Sequence, residues 1–91
     1  ADASPTLVLF AQPRAILDSA AARTGIAIAT LPDIRWERRD IKSVMLLAQV
    51  LAKQAAREAG CQEAWMVEDG QVTEGASSSA FILTQNGVLV T

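Results

Sequence analysis

The chain has 91 residues, 51% of them apolar, and a formal net charge of −2 from 8 basic and 10 acidic side chains. That is enough chain and enough apolar surface for one domain with a core, and no more. With no histidine, one cysteine and no basic excess, imidazole catalysis, the commonest zinc ligand, an internal disulfide and a nucleic-acid footprint are all excluded.

The start, Ala1-Asp2-Ala3-Ser4-Pro5, has no initiator Met and no basic stretch running into an apolar one. It reads as neither a signal peptide nor a native start, and no later apolar run is long enough to span a membrane. Residues 6–11 (TLVLFA), bounded by Pro5 and Pro13, predict a buried strand. Pro13 suits a first helical turn, and the Ala-rich stretch 14–24 predicts a short amphipathic helix closed by Gly25. Residues 25–30 (GIAIAT) predict a second strand. Pro32 cannot donate to a ladder, which argues for an edge, a kink or a bulge there. Residues 34–39 resume an extended pattern.

The strongest helix is predicted over 41–59. Val44, Leu47, Ala48, Leu51 and Ala55 share a face that Leu46 and Val50 widen, Gln49, Lys53 and Arg57 mark the wet side, and Gly60 ends it. Beyond it, 63–68 and 71–73 flank Asp69-Gly70, and 80–84 and 88–90 flank Asn86-Gly87. Two such turns close together predict hairpins and an antiparallel meander. The expected class is α/β (α+β mixed): strand, helix, strand, long helix, then the meander.

Three stretches carry groups that could do chemistry. Four of the eight basic residues, Arg35, Arg38, Arg39 and Lys42, fall within eight positions at the start of the long helix. They read either as a solvated charged strand paired with Glu37 and Asp40, or as a phosphate site at a helix N-terminus. Lys42 in a first turn would oppose the helix dipole, with Asp40 as the offsetting cap. An amine crowded by cations and withdrawn from water attacks a carbonyl more readily; the plainer reading is an exposed lysine. The segment Val72-Thr73-Glu74-Gly75-Ala76-Ser77-Ser78-Ser79-Ala80 reads as a polar loop whose hydroxyls bond locally. Without a histidine, no serine there is the nucleophile of a hydrolase. Cys61, at a helix C-terminus, reads as inert, and Trp36 and Trp65 as packing residues.

Read together, several stretches resemble one family. They are Pro32-Asp33-Ile34-Arg35-Trp36 with Arg39-Asp40-Ile41-Lys42-Ser43, Leu51-Ala52-Lys53-Gln54, Glu58-Ala59-Gly60, Glu63-Ala64, Val72-Thr73-Glu74-Gly75, and Ser77-Ser78 with Gly87-Val88. In this order they resemble the fold-type IV enzymes that use pyridoxal 5'-phosphate, most closely the D-amino acid aminotransferases. The resemblance implies that Lys42 forms the Schiff base with the cofactor and shuttles the proton at the substrate Cα. It also implies that Glu74 faces the pyridine nitrogen, that Arg35 lies near the cofactor phosphate or the ring's rim, and that Ser78 lines the side away from substrate. The Gly-rich, Asn-Tyr segment of branched-chain aminotransferases and the Leu-Asn-Arg of aminodeoxychorismate lyases are not found after Lys42. Those two activities, and a folded remnant without turnover, stand as alternatives. Asn, frequent in the family after the lysine and after the serines, is replaced by Val44-Met45-Leu46 and Ser79-Ala80.

The resemblance further implies a cytoplasmic homodimer acting on small amino acids and 2-oxo acids, with neither nucleic acid nor membrane as partner. Residues 1–91 would form a single segment of the large, cofactor-binding domain. A small domain before it and more chain after it would complete the site.

Overall fold

The computed structural model describes residues 3–14 and 16–91. Ala1 and Asp2 of the opening segment, and Ala15 of the helix expected over 14–24, lie outside the described residues. The element order is α1 (Ala20–Thr24), β1 (Ile28–Pro32), α2 (Leu47–Glu58), β2 (Glu63–Glu68), β3 (Gln71–Gly75), β4 (Ile82–Leu83) and β5 (Leu89–Val90).

Strands β1 and β2 run parallel with Ile28 opposite Glu63 and Pro32 opposite Val67, and α2 lies in the connection between them. Parallel neighbours need such a crossover, so the α/β expectation holds. Strand β3 returns antiparallel to β2 through Asp69-Gly70, both in the left-handed region (φ 50 and 76). That is the backbone a two-residue hairpin demands. The sheet order β1-β2-β3 puts Pro32 on an edge strand, where a missing N–H costs no ladder bond. The Asp33 N–H carries the ladder one step further, donating to the Val67 carbonyl at 2.9 Å.

The core is small: Ala52, Ala56, Ala64 and Met66, with Ala29, Leu31, Cys61 and Ala76 packed around it. The alanines of α2 let that helix approach β2 closely. Its C-terminus closes as expected, with Gly60 at φ 76 and the Cys61 N–H donating to the Ala56 carbonyl at 2.8 Å. This is the six-to-one bond that satisfies a last-turn carbonyl.

Several expectations are corrected. Residues 6–11 form no strand, and Leu7, Val8, Leu9 and Phe10 are all exposed. Strand propensity takes effect only against a neighbouring strand, and none pairs with them. The first helix covers only Ala20–Thr24, because Asp18 turns left-handed (φ 57) and Ser19 caps the helix, accepting from the Ala22 N–H. Residues 34–39 are a loop rather than a strand, and α2 begins at Leu47 rather than 41. Lys42 therefore stands in the loop, not in a first turn, and Asp40 caps nothing; it pairs with Arg38 at 2.8 Å.

The packed face of α2 is also not the one its leucines suggest. Ala52 and Ala56 are buried and Gln49 and Lys53 half-buried, whereas Leu47 is 70% exposed. Finally, the two hairpins do not join into one meander. The pair β4–β5 is a separate two-stranded sheet, tightened by Thr84, whose backbone N–H donates to the Val88 carbonyl at 2.9 Å. The radius of gyration is 16.4 Å, against about 12 Å for a compact domain of this length. Much apolar surface is therefore left open.

Candidate active site

The loop 33–46 leaves the end of β1 and crosses in front of β3 before entering α2. It is tied down by charge. Asp33 has a fully enclosed side chain, and it accepts from Arg35 Nη2 at 2.9 Å, from Arg39 Nη1 at 2.9 Å and from the Thr73 hydroxyl at 2.6 Å. Arg35 continues to Glu74 at 2.5 Å, and Arg39 to Glu68 at 2.5 Å. Two guanidiniums thus staple the loop to β2 and β3 through three carboxylates. Hydrogen bonds from Arg35 first, opposed by burial and aided by Thr73, hold the Asp33 carboxyl well below the usual range. Asp33 in turn is the main reason the Arg35 guanidinium is pushed up.

Thr73 and Glu74 lie on β3 rather than in a loop. Met66 faces Glu74 while Val67 faces Val72, so Thr73 is the extra residue of a β-bulge. A bulge re-aims the side chains around it. Here the Thr73 hydroxyl reaches Asp33 while the neighbouring Glu74 carboxylate meets Arg35.

Below β3 a second network forms around Glu63, which is only 4% exposed. It accepts from Lys53 Nζ at 3.0 Å, its neighbour's Ala64 N–H at 2.8 Å, and the hydroxyls of Ser77 and Ser78 at 2.7 and 2.9 Å. Burial pushes this carboxyl up; the bonds from Ser77, Ala64, Lys53 and Ser78 outweigh it and leave it at about 2. The serines do not bond locally, as a serine turn would suggest, but reach across to the start of β2.

Gly75 makes that turn possible. A Cβ there would fall inside the contact distance of the Ser78 carbonyl oxygen and 2.6 Å from Ser78 Oγ. Because a backbone atom stands in the way, the chain must shift. Gly75→Ala is expected to lose about 1–3 kcal/mol, read as a lower midpoint in chemical denaturation.

Between these networks lies a cavity of about 800 Å³. Lys42, Arg35, Glu74 and Ser78, the four residues singled out in the sequence, all line it. So does Trp36, which is a wall residue here rather than a packing residue, and so do Leu46 and, from α2, Leu47 and Leu51. The apolar face of that helix is therefore the greasy side of the cavity. Among the described residues Lys42 makes no ion pair or hydrogen bond, whereas the only other lysine, Lys53, is held by Glu63 and Ser77. Asp33 and Glu63 carry no expected role in the sequence. An acid followed two residues later by an arginine, and an acid opening a strand, are too common to stand out.

An amine without a partner, a carboxylate oriented by a guanidinium, hydroxyls and an apolar wall suit a flat, polar ring bearing a carbonyl. Comparison with known proteins gives the family. The profile of the family described as amino-transferase class IV matches residues 1–91. The D-alanine aminotransferase of Bacillus licheniformis is 47% identical over 64 residues, which is 70% of this chain and 23% of that protein. Those of Staphylococcus haemolyticus and Staphylococcus aureus (strain N315) are each 45% identical, over 70% and 74% of this chain and 23% of theirs. The chain thus spans about a quarter of the length of the relatives it matches.

Proposed function

Because this chain belongs to the class IV aminotransferases, we propose that its cavity is part of the active site of a D-amino acid aminotransferase using pyridoxal 5'-phosphate. The reaction moves an amino group from a D-amino acid such as D-alanine to a 2-oxo acid. When bound, the cofactor supplies a carbonyl carbon for amines and an electron-withdrawing ring for the bond changes at the substrate Cα. The observation that carries the reading is the gathering of Lys42, Glu74, Arg35 and Ser78 around one cavity.

Each residue has a role that its surroundings support. Lys42 holds the cofactor through its amine and, once released, moves a proton at the substrate Cα. No competing carboxylate among the described residues detains it. Glu74 accepts from the ring nitrogen, and Arg35 aims that carboxylate. With its guanidinium already shared between Asp33 and Glu74, Arg35 is assigned to the ring's rim rather than to the phosphate. Trp36 and the leucines of α2 keep water from one side, and Ser78 lines another. No helix among the described residues is long and apolar enough to cross a membrane, and the substrates are small molecules.

Borohydride reduction of the enzyme loaded with pyridoxal 5'-phosphate, followed by peptide mass mapping, tests the assignment. The label is expected on Lys42. A label on Lys53, or on neither lysine, would remove it.

A further inference from the structure

Asp33 does not line the cavity, and its side chain is fully enclosed. It holds Arg35 along one edge: Nε donates to Oδ1 at 3.1 Å and Nη2 to Oδ2 at 2.9 Å. The Arg35 backbone N–H adds a third bond, to Oδ1 at 3.0 Å. A planar guanidinium gripped by that edge is fixed in orientation. Nη1 is left for Glu74, which it reaches at 2.5 Å. Charge is arranged by the same contacts. Among Asp33, Arg35, Arg39, Glu68 and Glu74, two guanidiniums face three carboxylates, one negative charge in excess. Of those three carboxylates only Glu74 lines the cavity, and it is half exposed.

A guanidinium bound to Glu74 alone would neutralise it, and a neutralised carboxylate is a poor partner for a protonated ring nitrogen. Asp33 prevents this by sharing the same guanidinium. Its carboxyl is held well below the usual range, chiefly by the hydrogen bonds from Arg35, so it is charged wherever the fold is intact. The other groups that meet it are Arg39, which Glu68 balances in turn, and the uncharged Thr73 hydroxyl. Building on the aminotransferase reading, in which Glu74 accepts from the ring nitrogen, we propose that Asp33 is a positioning residue for the cofactor ring. By locking Arg35 along one edge and taking a share of its charge, it leaves Glu74 negative enough to keep that nitrogen protonated.

Asp33→Asn tests this in the enzyme loaded with pyridoxal 5'-phosphate that carries nitrogen-15 in its ring. The NMR shift of that nitrogen, followed against pH, reports whether it holds a proton. The midpoint for loss of the proton is expected to fall by about one pH unit in D33N, the low end for one nearby charge, because Asp33 acts at one remove. Glu74→Gln should lower the midpoint further, and D33N added to E74Q should move it no more, since the effect runs through that carboxylate. A role in stability alone would lower the denaturation midpoint of D33N and leave the ring signal in place. An unmoved ring midpoint in D33N, or a shift that adds to that of E74Q, therefore overturns the proposal. Should D33N fail to fold, combining it with R39Q removes one of the two guanidiniums left uncompensated. That double variant must show the same fall relative to R39Q, and a midpoint equal to that of R39Q is then the refutation. A wild-type enzyme without borohydride label on Lys42, or an E74Q enzyme with the wild-type ring midpoint, removes the reading of the site and this inference together. A labelled enzyme whose midpoint falls in E74Q but not in D33N removes this inference alone.

Discussion

Replacing Asp33 with alanine is expected to destabilise the protein by about 3 kcal/mol, the largest loss from any single polar side chain here. Breaking a buried ion pair by removing one partner costs about 3–5 kcal/mol, because the other charge is left uncompensated. The lower end applies, since Arg39 keeps Glu68 and reaches water, while Arg35 keeps Glu74 but is only 11% exposed. Asp33→Asn retains the shape and an acceptor for Thr73, so it should lose less, yet a neutral amide cannot balance two guanidiniums.

The wild type should show the same dependence on pH. A carboxyl whose folded pKa is depressed contributes stability that is complete above its unfolded value and is lost as pH falls toward the folded one. For Glu63 that window runs from the ordinary 4.5 down to about 2, and Asp33 shifts in the same direction. Denaturant midpoints should therefore begin to fall below about pH 4.5, with the Asp33 share of the fall missing from D33A. An acid profile in D33A identical to that of the wild type would show that the Asp33 ion pairs contribute nothing to it.

The turns and helix ends are legible in the sequence because each is a local event. Gly25, Gly60, Asp69-Gly70 and Asn86-Gly87 sit where the backbone turns left-handed or the chain reverses, and a few neighbouring residues decide that. Lys42, Glu74, Arg35 and Ser78 stand out through stretches that resemble a family rather than through periodicity, and all four line one cavity. What periodicity misreads is the meaning of an apolar face. On α2 the large side chains look like core, yet the alanines meet β2 and the leucines wall the cavity. A hydrophobic stripe does not say whether a core or the wall of a cavity receives it. The run at residues 6–11 fails for a different reason: a strand is a relation between two segments, and no partner is at hand. Asp33 and Glu63 escape notice because each also draws partners from far along the chain, Thr73 at 40 positions from Asp33 and Ser77 at 14 from Glu63.

Lys42→Ala should lower turnover at least about 10³-fold, the scale on which a positioned acid–base group acts in a transition state, with the covalent role adding to the loss. Arginine at position 42 should be as inactive as alanine despite keeping the charge, because a guanidinium cannot give up its proton at any pH of interest. Stability separates this effect from a damaged fold. Lys42 has no ion pair or hydrogen bond among the described residues, so K42A should move the unfolding free energy by no more than about 0.5 kcal/mol. Lys53→Ala is the informative opposite. It strips the buried Glu63 of its cation, at 3.0 Å, and the Ser77 hydroxyl of a donor, so it should lower the unfolding midpoint while leaving the borohydride label on Lys42. The two lysines then divide cleanly, one needed for chemistry and one for structure. A K42A enzyme that still turns over, or a K53A enzyme that folds normally but has lost both label and activity, would reverse the assignment and point to Lys53 as the reacting amine.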